Sequence, residues 1–106
     1  MHATIRRYES IDQSRKDEVL KKVDETLLPK LAELPGFNGY SLIDAGDGVM
    51  TSVSFFDTSA QADESTKIVS NWVREEKLDT VLPNAPKVTV GEVIAKMAVE
   101  KQLVSV

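Results

Sequence analysis

A chain of 106 residues, 42% of them apolar, suffices for one small domain with its own core, and is short enough that a second copy would help cover its surface. Its formal net charge of −4, with acids and bases interspersed, argues against general nucleic-acid binding, which needs clustered Lys and Arg. The absence of cysteine excludes disulfides, thiol nucleophiles and thiolate metal sites, and a single histidine, His2, argues against a His-rich metal centre or a Ser-His-Asp triad.

In chain order, Ala3 to Glu9 alternates with a period of two, Thr4, Arg6 and Tyr8 on one side and Ala3, Ile5 and Arg7 on the other. This predicts a first strand. Ser10 to Ser14 is turn-like, with Asp12 or Ser14 available as a helix cap. From Arg15, the residues Val19, Leu20, Val23, Leu27, Leu31 and Leu34 recur at helical spacing, with Asp17–Lys21 and Glu18–Lys22 as acid-base pairs on the solvent side. Pro29 should kink this helix or mark its last turn, and Pro35-Gly36 stops it.

Phe37 to Ala45 and Val49 to Phe56 read as two strands joined by a tight hairpin at Asp47-Gly48. With an even loop, Tyr40 and Leu42 would share a face with Val49, Thr51, Val53 and Phe55, and Ser41, Ile43 and Ala45 with Met50, Ser52, Ser54 and Phe56. Both faces then carry apolar residues, unlike a sheet with one wet face. Asp57-Thr58-Ser59 caps a second helix with an apolar stripe of Ala62, Ile68, Val69, Trp72 and Val73. Leu78 to Pro86 reads as a loop and Val88 to Ala95 as a last strand. The order β-α-β-β-α-β is the ferredoxin-like arrangement, an α+β fold with a four-stranded antiparallel sheet and two helices on one face. Residues 1–95 form that domain, and 96–106 form a C-terminal tail that either reaches a partner subunit or frays.

Five residues are candidates for a substrate pocket: Trp72, Tyr40, Arg6, Arg7 and Glu92. Trp72, the only tryptophan, reads first as core packing and alternatively as a pocket wall with a donor N–H; Asn71 and Arg74 beside it point off the stripe. Arg6 and Arg7 must project to opposite faces of a central strand. The inward one needs a partner, and Glu92, an acid on an apolar face of the neighbouring last strand, is the expected one. Such a pair is either an ordinary ion pair or an anchor for an anionic substrate group. Ser52 and Ser54, without a base in reach, read as small residues that allow close packing at an interface, and His2 as a strand-end residue. Asp44 and Asp47 are explained by turn chemistry.

The pieces Ala3-Thr-Ile-Arg-Arg-Tyr8, Pro35-Gly-Phe-Asn-Gly-Tyr40, the hairpin from Asp44 to Met50 and Trp72 in the second helix resemble the dimeric α/β-barrel superfamily, and within it the antibiotic-biosynthesis-monooxygenase type of domain. The resemblance covers residues 2 to 95. It implies a homodimer packed sheet against sheet, no cofactor, and Trp72 as the match of the tryptophan that lines the pocket of the oxygenases. Where the cofactor-free members carry an asparagine one turn before that tryptophan, this chain has Ile68; where the haem degraders carry a histidine ligand after it, this chain has Glu75, Glu76 and Lys77.

Two functions follow as expectations. One is cofactor-independent oxygenation of a small aromatic or polyketide-like molecule in a pocket formed by Trp72, Tyr40 and Arg6 or Arg7. The other is a non-catalytic ligand-binding or stress-associated dimer with a filled interior. An open cavity of roughly 300 Å³ or more with convergent polar groups separates the first from the second. The chain shows neither a charged-then-apolar leader nor a long apolar run, so a cytoplasmic protein with no membrane and no nucleic-acid partner is expected.

Overall fold

The computed structural model describes residues 1–97; the proposed partner-reaching tail lies mostly outside the described residues. Strands β1 (His2–Tyr8), β2 (Phe37–Gly46), β3 (Val49–Phe56) and β4 (Lys87–Glu92) form one antiparallel sheet in the order β2-β3-β1-β4. Helix α1 (16–32) and helix α2 (Ser59–Glu75) cover one face. This is the ferredoxin-like topology expected from the order of patterns, with β1 central and β4 beside it.

Helix α1 is interrupted by a π turn at Val23–Leu27, where the Leu28 N–H bonds the Val23 carbonyl. Pro29 supplies the reason: it has no N–H to return to the Glu25 carbonyl, and its ring crowds that oxygen. The proline therefore neither ends the helix nor simply bends it. The π turn also serves packing. Val19, Val23, Leu27 and Leu31 are all buried at a spacing of four, a row that drifts by about 40° per step in a regular α-helix. One extra residue in the middle turn brings the row back toward the sheet. Lys22 does not pair with Glu18 as expected; it reaches across to Glu76 at 3.1 Å, while Glu18 pairs with Arg15 at 2.8 Å.

The hairpin forms at Asp47-Gly48, both with positive φ (53° and 76°), the geometry that Asp-Gly favours in a two-residue turn. The expected face assignment is corrected. A bulge between Asp44 and Gly46 inserts one residue, so Leu42 pairs with Ser52 and Tyr40 with Ser54. Because side chains alternate, that single residue moves Tyr40 and Leu42 to the face of Met50, Ser52, Ser54 and Phe56. Ser52 and Ser54 therefore lie beneath the helices and not on the open face.

The open face carries Ile5 and Ile43, 37% and 48% exposed, with Val53 and Phe55 half-buried between them. Both faces of the sheet are apolar, as the sequence suggested.

Helix α2 begins in a capping box: Thr58 Oγ1 accepts from the Gln61 N–H at 3.3 Å and Gln61 Oε1 accepts from the Thr58 N–H at 3.1 Å. Its buried stripe is Ala62, Ser65, Val69 and Trp72. The segment expected to be a plain loop does more. Leu78, Val81 and Leu82 are buried, and the Leu82 N–H bonds the Leu78 carbonyl at 2.8 Å, so a single helical turn plugs the core before Pro83. Fully burying side chains of this size stabilises a fold by roughly 1.5–3 kcal/mol each.

Candidate functional site

An open cleft of about 310 Å³ lies between α2, the segment from Leu82 to Pro86 and β4. Its walls are apolar: Val69 and Val73 from α2, Pro83 and Pro86 from the loop, Val88 from β4. Thr66, Ser70 and Arg74 add polar groups along the helix, and Arg6 and Tyr8 form the floor from β1. The sheet register explains the floor. Arg6 stands opposite Ser52 on β3 and Val88 on β4, facing the helices.

Arg6 is 1% exposed. Its guanidinium donates to Ser65 Oγ at 3.1 Å, Thr66 Oγ1 at 2.9 Å and Ser54 Oγ at 3.5 Å, while its Nε has no partner. Ser65 donates onward to the Ala62 carbonyl at 2.6 Å, which turns its oxygen toward the arginine. The expected ion pair with Glu92 is corrected. The antiparallel register sets Glu92 opposite His2, four residues along β4 from Val88, a displacement of roughly 13 Å at about 3.3 Å per residue. Glu92 is exposed and does not line the cleft. Desolvation lowers the pKa of Arg6, while Tyr8 and Tyr40 nearby pull it back up.

Arg7 projects to the open face, as the alternation requires. It pairs with Glu9 at 3.1 Å, which also holds Lys87 at 3.1 Å, so it has no part in the cleft.

Trp72 is buried behind the cleft. It borders a separate chamber of about 20 Å³, space for about one water molecule, with Leu27, Tyr40, Leu42 and Met50 around it. Tyr8, Val69 and Leu82 border both spaces and form the partition between them. Tyr40 also faces the chamber. Burial, with a smaller push from Tyr8, raises its hydroxyl pKa to about 12; Arg6 and Ser52 pull the other way. Burial likewise raises Tyr8, against the pull of Arg6. Both phenols are therefore neutral donors near neutral pH.

Of the candidates, the structure brings Arg6 to the cleft and Tyr40 and Trp72 to the small chamber, and it places Arg7 and Glu92 elsewhere. Sequence reasoning missed Tyr8, Thr66 and the 82–86 wall. Tyr8 was legible as the inward neighbour of Arg6 at i+2. The spacing of Leu78, Val81 and Leu82 signals a helical turn that fixes the wall.

No family model matches the sequence, and no curated protein matches it either. Solved structures do. The chain is similar to the monooxygenase from the gene ActVA-Orf6 of Streptomyces coelicolor, in complex with nanaomycin D, at a TM-score of 0.70 and 13% identity, over 93% of this chain and 92% of that one. It is similar to an antibiotic biosynthesis monooxygenase at 0.68 and 20%, over 90% and 100%. A dimeric ferredoxin-like protein from an uncultured marine organism matches at 0.67 and 15%, over 93% and 92%. The chain thus has the fold of the antibiotic-biosynthesis-monooxygenase-like structures, as the resemblance implied. At these identities the likeness concerns the fold. Among the described residues, no helix is long and apolar enough to cross a membrane.

Proposed function

We propose that this chain is a homodimeric small-molecule protein whose site is the cleft above Arg6, and that its reaction is cofactor-independent oxygenation of a small aromatic or polyketide-like compound. The observation that carries the reading is the cleft itself, about 310 Å³ of largely apolar space with Arg6 and Tyr8 at its floor. The shared fold with monooxygenases supports the reaction class. In such chemistry a carbanion of the substrate delivers electrons directly to O₂. Overall a CH₂ group and O₂ become a carbonyl and water. The protein supplies an apolar surface for the substrate body and hydrogen bonds to the developing oxyanion. Trp72 is not assigned to this reaction, because the partition of Tyr8, Val69 and Leu82 stands between it and the cleft.

The homodimer rests on the apolar open face, which two copies would bury against each other, and on the dimeric ferredoxin-like protein of the same fold. Oxygen uptake with enolisable polycyclic substrates tests the reaction. Stoichiometric consumption of O₂ by the wild-type chain, abolished by filling the cleft with Val73→Trp, is the expected result. A second reading, a non-catalytic binding dimer, is favoured by the small size of the chamber beside Trp72, about 20 Å³. Ligand binding without any oxygen uptake would select it.

A further inference from the structure

Arg6 carries a positive charge into the interior, and no negative charge among the described residues meets it. Its partners are three hydroxyl oxygens, and its Nε has none. None of the ion pairs among the described residues involves it. A guanidinium stays protonated even when burial disfavours it. A buried cation held only by neutral dipoles is poorly compensated, and a methionine would fill the same space without that penalty. The core therefore keeps a charge whose burial its hydroxyl partners only partly offset. That charge sits at the floor of the open, largely apolar cleft described above, beside a tyrosine that is a neutral donor.

We infer that the cleft is built for a small apolar monoanion, a carboxylate, phenolate or enolate on a ring or short hydrocarbon, whose oxygen pairs with Arg6 and accepts from Tyr8. Arg6 is the cation at the floor and sets the charge that the ligand must carry there; the second lining guanidinium, Arg74, is exposed and held by Asn71. The walls of Val69, Val73, Pro83, Pro86 and Val88 match a hydrocarbon body, which inorganic phosphate lacks. This inference rests on the cleft being the ligand site. It does not require oxygenase chemistry.

Calorimetric titration of the full chain with 2-naphthoate, the neutral isostere 2-naphthamide, 4-nitrophenolate and inorganic phosphate tests it. The carboxylate should bind at least about tenfold more tightly than the amide. Phosphate should not bind, and comparison of the carboxylate with the phenolate reports which oxyanion is preferred. In Arg6→Met the acid-over-amide preference should vanish. If Arg6→Met does not fold, Thr66→Val, which removes one hydroxyl that positions the guanidinium, should reduce the preference instead. Equal affinity for acid and amide in the wild-type chain would overturn the inference while leaving the cleft as a ligand site. Binding of none of the four would overturn both. Selective binding of the anion with no oxygen uptake would uphold the inference and remove only the reaction.

Discussion

The indole Nε1 of Trp72 donates to Thr26 Oγ1 at 2.7 Å, and Thr26 donates in turn to the Lys22 carbonyl at 2.8 Å. Thr26 lies in the π turn of α1, so this relay fastens α2 to the irregular part of its neighbour. Trp72→Phe should destabilise the fold by about 1–3 kcal/mol, through a lost buried hydrogen bond and lost packing, and leave ligand affinity in the cleft unchanged. Chemical denaturation and a binding titration on the same variant check this. Unchanged stability with lost binding would return Trp72 to the site.

Gly36 has φ +77°, its carbonyl accepts from the Asp57 N–H at 2.9 Å, and a Cβ on it would collide with the carboxamide of Gln61. That carboxamide is half of the capping box of α2. Gly36→Ala should therefore strain the backbone and disturb the cap together, lowering stability by roughly 1–3 kcal/mol. A midpoint shift in urea with an unchanged slope is the expected readout; a neutral effect would show that the turn is free to relax.

Tyr40 gives a pH dependence with a definite sign. Its hydroxyl is raised to about 12 in the fold, against an ordinary value near 10. The unfolded chain therefore loses its proton first as pH rises. The stability this contributes is complete below about pH 10 and is lost between about 10 and 12, a change on the order of 2–3 kcal/mol. Tyr8, raised in the same direction, adds to it. Thermal melts across this range should fall steeply in the wild-type chain and less steeply in Tyr40→Phe. Identical profiles would contradict the burial of this phenol.

Phe55 lies half-buried on the open face, with Ile5 and Val53 on the same side. In the proposed dimer, an aspartate there would force a charge into the contact between the two sheets. Phe55→Asp should halve the mass measured by light scattering at micromolar concentration while circular dichroism stays native. A wild-type chain that is already monomeric would contradict the dimer.

The topology was legible because hydrophobic period, turn chemistry and helix caps all agreed: Asp47-Gly48 for the hairpin, Thr58 for the second cap, alternation for one of Arg6 and Arg7 inward and the other outward, with the structure deciding that Arg6 is the inward one. What failed was register. The bulge at residue 45 reversed the facing of Tyr40 and Leu42, and bulges leave little trace beyond a glycine, here Gly46. Antiparallel offset likewise separated Glu92 from Arg6, since strand parity fixes a face and not a distance. The site was half legible for the same reason. An inward arginine can be read from alternation, but its lack of a carboxylate depends on which residues lie opposite, and the cleft wall depends on where one helical turn docks.

The most direct test of the account is a heteronuclear NMR titration of the full chain with 2-naphthoate. The account predicts shifts at the amides of Thr66, Ser70, Val73, Asn84 and Ala85, saturating together, with the Trp72 indole resonance still. Shifts centred on the Trp72 indole and on Leu27, with none at the cleft, would contradict it.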